Sequence, residues 1–233
     1  MIKILWVVFL GISIFACSSH IRIHELSEKS KVDASISSSL KIDELIQPYK
    51  DSLDKEMNQV IGFSKDNFEI QRPSSSLMNW CADAIFANQT RNIKLAQPIF
   101  CLLNTGGLRS TIGKGTVSLG DIYKLMPFDN TIVWVEFPIS SIAEIEKYLS
   151  QSGGEPIANA KLENGKLLIN GGNEKMTHFW VLTSDYLMNG GDKMNFFEQR
   201  TNAIMNGKLL RNAIIEEVKS QDTLIFNNEL RIK

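Results

Sequence analysis

The sequence is poor in histidine and has no excess of charge. It contains three histidines (His20, His24 and His178), and 25 basic residues stand against 26 acidic ones, for a net charge of −1. A chain of this charge has no positive field to attract nucleic acid. Histidine is the commonest metal ligand, and neither an Asp-x-His nor a Gly-Asn-His-Glu sequence occurs. These absences predict that the chain itself holds no metal or other cofactor and binds no nucleic acid.

Cysteine is also scarce, and the usual catalytic motifs are missing. The three cysteines (Cys17, Cys81 and Cys101) form no C-x-x-C pair, which disfavours a structural zinc site. Cys81 and Cys101 lie in apolar stretches, which favours two buried free thiols. A disulfide between them stays open as an alternative if the protein is exported. Neither a P-loop nor a Ser/His/Asp arrangement is found.

The long apolar run at the start is the exception to this balanced composition. Residues 1–16 contain Lys3 and then a run that is too short for an ordinary membrane span but fits a signal peptide. The run ends Ile14-Phe15-Ala16-Cys17, which resembles the lipobox of bacterial lipoproteins. The resemblance implies removal of residues 1–16 and lipidation of Cys17. The alternative is an ordinary secretory signal, with Cys17 incidental.

The region after Cys17 predicts a tether. By resemblance to lipoprotein sorting patterns, Ser18 in place of aspartate favours the outer membrane. We therefore expect an exported, periplasm-facing protein attached to the membrane by its lipid anchor. Residues 17–42 are rich in serine and lack clear periodicity, as is typical of a flexible linker. Residues 43–233 are long enough for one domain with its own core.

The domain is predicted to mix helices and strands. Because the order is not a strict βαβ repeat, the sequence favours the α+β class. Apolar spacing, serine-rich helix starts and glycine-rich turns define the expected elements. Helices are expected at 43–61, 77–85 (after a serine-rich start at 73–76), 117–125, 142–149 and 209–220, and strands at 99–103, 131–137, 166–169, 178–183 and 224–232.

Three loops carry residues suited to ligand binding. The first, residues 104–109, sets Gly106 and Gly107 between an amide, Asn104, and a guanidinium, Arg109. Glycine lets the backbone approach a ligand closely, and arginine suits phosphate or carboxylate oxygens. The second, residues 126–130, contains an aromatic ring, and the third, residues 186–192, contains a tyrosine, two glycines and an aspartate. Taken singly, each loop is explained as well by a structural turn.

Taken in order, NTGGLR, PFDN and TSDYLMNGGD resemble the C-terminal domain of 5'-nucleotidases and related UDP-sugar hydrolases. The resemblance runs from about residue 45 to about residue 225, and it implies a layered α/β sandwich that binds the nucleoside. Phe128 and Tyr186 would sandwich the base, Asn104 would contact its edge, and Asp192 would contact the ribose hydroxyls. Arg109 would hold the ribose or phosphate. The implied nucleotide-binding set is Arg72, Asn104, Gly106, Gly107, Arg109, Phe128, Tyr186 and Asp192.

The sequence departs from the family pattern in two places. The family usually has phenylalanine where this chain has Tyr186, and the additional hydroxyl needs a hydrogen-bond partner. Arg72 is the candidate for a family arginine that contacts phosphate, but it is out of register by about one residue. The phosphate end of the expected site is therefore less well defined than the base end.

The resemblance covers the nucleotide-binding domain and not the domain that performs hydrolysis. In this family two divalent metals, held by a separate N-terminal domain, activate water. One hypothesis is that this chain is the nucleotide-binding subunit of a split periplasmic 5'-nucleotidase, with the metals in a separate metallophosphatase chain. The other is a stand-alone lipoprotein that binds nucleosides or mediates protein contacts. Under both hypotheses the chain alone is expected to be inactive.

Overall fold

The computed structural model describes residues 39–94 and 96–233, together with residues 33 and 37. The expected signal peptide, Cys17 and most of the expected tether lie outside the described residues. The chain divides into two units, Met1–Leu45 and Ile46–Lys233. Within the part of the chain that is described, no helix is long and apolar enough to cross a bilayer.

Helix α1 (Leu40–Met57) begins slightly earlier and ends earlier than the sequence predicts. Residues 40–42, which the sequence assigns to the tether, are already helical. The prediction that the helix extends to Val60 and Ile61 is wrong, because these residues begin strand β1 (Val60–Ser64). Strand β1 pairs antiparallel with β3 (Gly115–Ser118), so a partner that is distant in sequence decides the structure here. None of the residues of α1 is buried.

A five-stranded sheet forms the centre of the second unit. The strands β2 (Ile99–Leu102), β4 (Thr131–Pro138) and β8 (His178–Ser184) confirm predicted strands. The sheet is completed by β5 (Ile157–Ala158) and by β9 (Asn202–Leu209), in the order β5-β2-β8-β4-β9. Strands β2 and β8 are parallel, and the other pairs are antiparallel. Strand β9 was not predicted, because this edge strand is mostly exposed and has no apolar alternation.

The sheet is covered on both faces, which confirms the layered α/β sandwich. Successive residues of β4 enter different cores: Val133 and Val135 pack on one face and Ile132 on the other. The first face is covered by α4 (Ile142–Gln151) and by the hairpin of β6 (Ala160–Glu163) and β7 (Lys166–Ile169). The second face is covered by α2 (Ser76–Thr90), α3 (Leu119–Leu125) and α6 (Leu210–Gln221).

The start of α3 shows how local sequence fixes these helices. Ser118 Oγ accepts a hydrogen bond from the Asp121 backbone N–H at 3.2 Å, and Asp121 Oδ2 accepts one from the Ser118 N–H at 2.9 Å. This reciprocal capping satisfies N–H groups that the first helical turn leaves unpaired. The helix predicted to open at Ser118 is thus confirmed, although Val117 belongs to β3.

The predicted strand at 224–232 is wrong. This segment pairs with other strands only through isolated contacts, such as Ile232 with Leu162. Its backbone is held by side chains instead. Asn79 Nδ2 donates to the carbonyls of Asn227 at 3.2 Å and of Glu229 at 2.8 Å. Leu224 and Ile232 are buried against the domain, whereas Ile225, Phe226 and Leu230 remain exposed.

Cys81 in α2 and Cys101 in β2 are free and buried, as the sequence favours. Burial, with a smaller contribution from the charge of Asp83, raises the pKa of both thiols. Both therefore stay protonated and pack as small apolar side chains.

Candidate functional site

The three loops identified in the sequence meet at one end of the sheet. Because β2 and β8 are parallel, their carboxyl ends lie at the same edge, and the antiparallel β4 begins there. The loop containing Asn104 follows β2, and Phe128 lies just before β4. Tyr186 lies in the short helix α5 (Asp185–Met188), directly after β8. The topology thus brings together residues that are far apart in the sequence.

These loops enclose a cavity of about 320 Å³, which we call the motif cavity. Its volume falls in the range of small-molecule sites. Phe128 is 44% exposed and Tyr186 is 45% exposed, so both rings are accessible to a ligand. The cavity contains every predicted nucleotide-binding residue except Arg72, and it adds Asn130. Its lining is Asn104, Gly106, Gly107, Arg109, Phe128, Asn130, Tyr186 and Asp192.

Asp192 is held by neighbours on several sides. Its Oδ2 accepts a hydrogen bond from Asn104 Nδ2 at 2.6 Å, and its Oδ1 accepts one from the Tyr186 hydroxyl at 2.8 Å. The hydroxyl of Tyr148, in α4, donates to the Asp192 backbone carbonyl at 3.1 Å. The bond to the Asp192 carboxylate raises the pKa of Tyr186, so that hydroxyl keeps the proton it donates. The carboxylate is therefore fixed before any ligand arrives.

Two glycines make room for the lining side chains. A Cβ atom at Gly107 would lie 2.8 Å from Oδ1 of Asn104, and one at Gly191 would lie 2.4 Å from Cε1 of Tyr186. Real Cβ atoms do not approach other atoms so closely without displacing them. Gly107 and Gly191 therefore serve the packing of Asn104 and Tyr186, in addition to the ligand access that the sequence suggests.

Arg109 has a fixed backbone and a largely uncommitted side chain. Its backbone N–H donates to the Leu125 carbonyl at 2.8 Å. Its guanidinium makes one long contact among the described residues, from Nη1 to the Gly106 carbonyl at 3.4 Å. Most of its five donors are thus available to an anionic group in the motif cavity.

Arg72 lies beside the motif cavity rather than in it. It lines a neighbouring cavity of about 560 Å³, which shares Asp192. Its guanidinium donates to Glu155 Oε1 at 3.0 Å and to the Gly154 carbonyl at 2.6 Å. Glu155 is 3% exposed and accepts hydrogen bonds from the backbone N–H and hydroxyl of Thr105, at 2.6 and 2.8 Å. In this structure Arg72 supports the loop after β2 through Glu155.

Two residues that the sequence did not single out hold the Phe128 loop. Arg211, at the start of α6, donates to the carbonyls of Met126 at 3.1 Å and Phe128 at 3.3 Å. Asp185 accepts hydrogen bonds from the Thr131 backbone N–H at 3.0 Å and from its hydroxyl at 2.8 Å. Asp185 could have been found from the sequence, because Ser184 and Asp185 directly follow a predicted strand and are typical of a helix start. Arg211 has no such signal, because its partners lie more than eighty positions away.

The described residues do not fit a two-metal hydrolytic centre. Among them, no group of three or more histidine, cysteine, aspartate or glutamate side chains is placed to hold a metal ion. His178 lies at the amino end of β8, and the motif cavity is at the carboxyl end. Its Nδ1 is 3.2 Å from the hydroxyl of Thr177. We therefore derive no hydrolytic step from these side chains.

Known proteins show sequence likeness to this chain over limited stretches. Residues 60–138 match the family of the 5'-nucleotidase C-terminal domain. The chain is 35% identical over 66 residues to protein UshA of Yersinia enterocolitica, an alignment that covers 28% of this chain and 10% of UshA. It is 28% identical over 117 residues to the trifunctional nucleotide phosphoesterase YfkN of Bacillus subtilis, covering 47% of this chain and 8% of YfkN.

Solved structures share the fold over most of this chain. The 5'-nucleotidase precursor of Thermus thermophilus matches with a TM-score of 0.66 at 22% identity, covering 82% of this chain and 42% of that one. The NAD nucleotidase of Haemophilus influenzae matches with a TM-score of 0.60 at 18% identity, covering 86% and 43%. The chain thus spans less than half the length of these relatives. Residues 60–138 thus match the family of the 5'-nucleotidase C-terminal domain, and the fold shared over most of the chain agrees with that match.

Proposed function

We propose that this chain binds nucleosides and nucleotides in the motif cavity and presents them to a metallophosphatase centre on a separate chain. The observation that carries the proposal is the composition of the cavity. Two accessible aromatic rings, an amide, an uncommitted guanidinium and a fixed carboxylate line one space of about 320 Å³. Each part of a nucleotide has a complementary group in that set.

The base would bind at the aromatic end. A planar base stacking on Phe128 and Tyr186 would contribute about 1–3 kcal/mol, without base-specific bonds. Asn104 already donates one Nδ2 hydrogen to Asp192. A base edge would therefore meet its remaining donor hydrogen or its carbonyl oxygen.

The ribose and phosphate would bind at the charged end. Both carboxylate oxygens of Asp192 keep acceptor capacity for ribose hydroxyls, because each accepts one hydrogen bond from the protein. Arg109 is the guanidinium that lines the cavity, and its planar group suits phosphate oxygens. Arg72 is committed to Glu155 and the neighbouring carbonyls, so Arg109 is the stronger candidate for phosphate.

Hydrolysis would take place on the partner. Two-metal centres activate water and stabilise the leaving oxygen, and we place that centre on a separate metallophosphatase chain. Holding a substrate in the correct orientation lowers the barrier of the reaction that follows. We also propose, from the lipobox resemblance, that Cys17 carries a lipid anchor and that the domain faces the periplasm from the outer membrane.

The proposal is tested by measuring binding and activity on the full chain. We expect calorimetry to detect adenosine and AMP binding, and a phosphatase assay to detect no AMP hydrolysis by this chain alone. Adding the metallophosphatase chain should produce a larger gain on AMP than on 4-nitrophenyl phosphate, since the latter has no base or ribose. Arg109→Ala should reduce the gain on AMP. Arg200→Ala is the control, because Arg200 lies outside the motif cavity and contacts the Phe197 carbonyl.

Three outcomes would contradict parts of this proposal. Absence of nucleoside binding at millimolar ligand would refute the assignment of the motif cavity. Metal-dependent AMP hydrolysis by this chain alone would refute the separate catalytic chain. Binding without any gain from a partner would favour the stand-alone binding protein.

A further inference from the structure

Asp192 has a backbone conformation that ordinary residues rarely adopt. Its φ is 52° and its ψ is 27°, and Lys193 follows with a φ of 63°. Two consecutive non-glycine residues in the left-handed region carry strain, and such strain persists only where the surroundings enforce it. Strain of this kind concentrates at functional sites.

Two tyrosine hydroxyls from different helices enforce this conformation. The Tyr186 hydroxyl donates to Asp192 Oδ1 at 2.8 Å and accepts from the Asp192 backbone N–H at 3.3 Å. The Tyr148 hydroxyl donates to the Asp192 carbonyl at 3.1 Å. The N–H, the carbonyl and the side chain of Asp192 are therefore all held by these two hydroxyls. Asn104 holds the remaining carboxylate oxygen.

We propose that Tyr148 and Tyr186 are positioning residues whose hydroxyls aim the Asp192 carboxylate at the ribose, and that they thereby set a preference for ribonucleosides over nucleosides lacking the 2' and 3' hydroxyls. The proposal rests on nucleoside binding in the motif cavity. It adds Tyr148, which the sequence did not single out, and it gives the hydroxyl of Tyr186 a role separate from the stacking of its ring.

The rings and the hydroxyls have separable roles. The Tyr148 ring packs edge-on against Phe196, with 5.5 Å between ring centroids, and this contact does not involve the hydroxyl. Burial and the charges of Glu155 and Asp192 raise the pKa of Tyr148 to about 12. The hydroxyl therefore remains a donor at neutral and mildly alkaline pH. Replacing tyrosine with phenylalanine removes the hydrogen bonds and keeps the ring contacts.

The experiment compares two ligands that differ only in the ribose hydroxyls. Calorimetry on the full chain would measure adenosine and 2',3'-dideoxyadenosine binding to the wild type, Tyr148→Phe, Tyr186→Phe and the double variant. We expect each single variant to lose roughly three- to tenfold in adenosine affinity, the range for one hydrogen bond, and to keep its dideoxyadenosine affinity. Tyr49→Phe is the control, because Tyr49 is an exposed tyrosine in α1. It should change neither value.

The outcomes separate this inference from the function on which it rests. If the wild type binds neither ligand, nucleoside binding itself is refuted. If the wild type prefers adenosine and the variants keep the full preference, the positioning role is refuted. Equal losses on both ligands would also refute it, since they would indicate a general disturbance of the cavity. Thermal unfolding of each variant would show whether such a disturbance is global.

Discussion

The two ends of the central sheet carry cavities of similar size but different construction. At the carboxyl ends of β2 and β8, the motif cavity of about 320 Å³ has polar side chains that neighbours hold in place. At the amino ends, a cavity of about 300 Å³ is lined mainly by apolar groups, including Trp134, Trp180 and Ile204. Among the described residues that line this second cavity, one hydrogen bond joins two side chains: Trp180 Nε1 donates to Gln97 Oε1 at 2.8 Å. Volume therefore does not distinguish the candidate site, but fixed polar groups do.

The largest expected difference between the two ends is in the free energy of unfolding, when a glutamate at each end is replaced. Glu155→Ala should lower the free energy of unfolding by about 2–4 kcal/mol, because it leaves the Thr105 N–H without its acceptor and removes the ion pair with Arg72. Glu136→Ala, in the cavity at the amino end, should change it by about 0.5 kcal/mol or less. Urea unfolding of both variants measures this directly. Equal losses would show that buried support is not concentrated at the motif cavity.

Substitutions at the two ends of the sheet should also differ in their effect on ligand binding. Phe128→Ala should weaken adenosine binding by about 1–3 kcal/mol, because one stacking surface is lost. Ile204→Ala is the counterpart at the amino end, where Ile204 is also half exposed. It should leave adenosine affinity unchanged in the same calorimetric titration. A comparable loss of adenosine affinity in Ile204→Ala would mean that the nucleoside binds at the amino end of the sheet, which would contradict the assignment to the motif cavity.

The sequence predicts the carboxyl end of the sheet well because its signals are local. Each of these signals can be read from a few neighbouring residues: the apolar run of β2, the capping residues of α3 and the glycine pairs. The motif order then places Asn104, Phe128 and Tyr186 in one site, and the structure brings them into one cavity. Even the hydroxyl of Tyr186 is anticipated as a group in need of a partner.

What the sequence misses depends on contacts between distant residues. Val60 and Ile61 fit helical spacing, and only the pairing of β1 with β3 makes them a strand. Arg72 has the charge expected of a phosphate ligand, and its hydrogen bond to the buried Glu155 cannot be read from the sequence. Tyr148 is a partly buried residue at a core-facing helical position, and its hydrogen bond to Asp192 becomes visible only when α4 is placed. The partner of the Tyr186 hydroxyl is likewise Asp192. We therefore expect Tyr186→Phe to weaken adenosine binding, although stacking alone would predict no change.

The smallest expected effects come from two glycines, and they should have opposite signs. A Cβ atom at Gly191 would lie 2.4 Å from the Tyr186 ring, so Gly191→Ala should force the ring aside at a cost of about 1–2 kcal/mol in unfolding free energy. A Cβ atom at Gly113 would meet no heavy atom within 4 Å. Gly113→Ala should therefore stabilise the domain by about 0.4–1 kcal/mol, because alanine restricts the unfolded chain.

The same pair of variants tests whether Gly191 serves the ligand as well as the fold. Because the Tyr186 ring and its bond to Asp192 would move together, Gly191→Ala should also lower adenosine affinity, whereas Gly113→Ala should not. Urea unfolding and calorimetry on the two variants separate the effects. If Gly191→Ala binds adenosine as tightly as the wild type, then the ring can shift without loss, and the close packing against Gly191 serves stability alone.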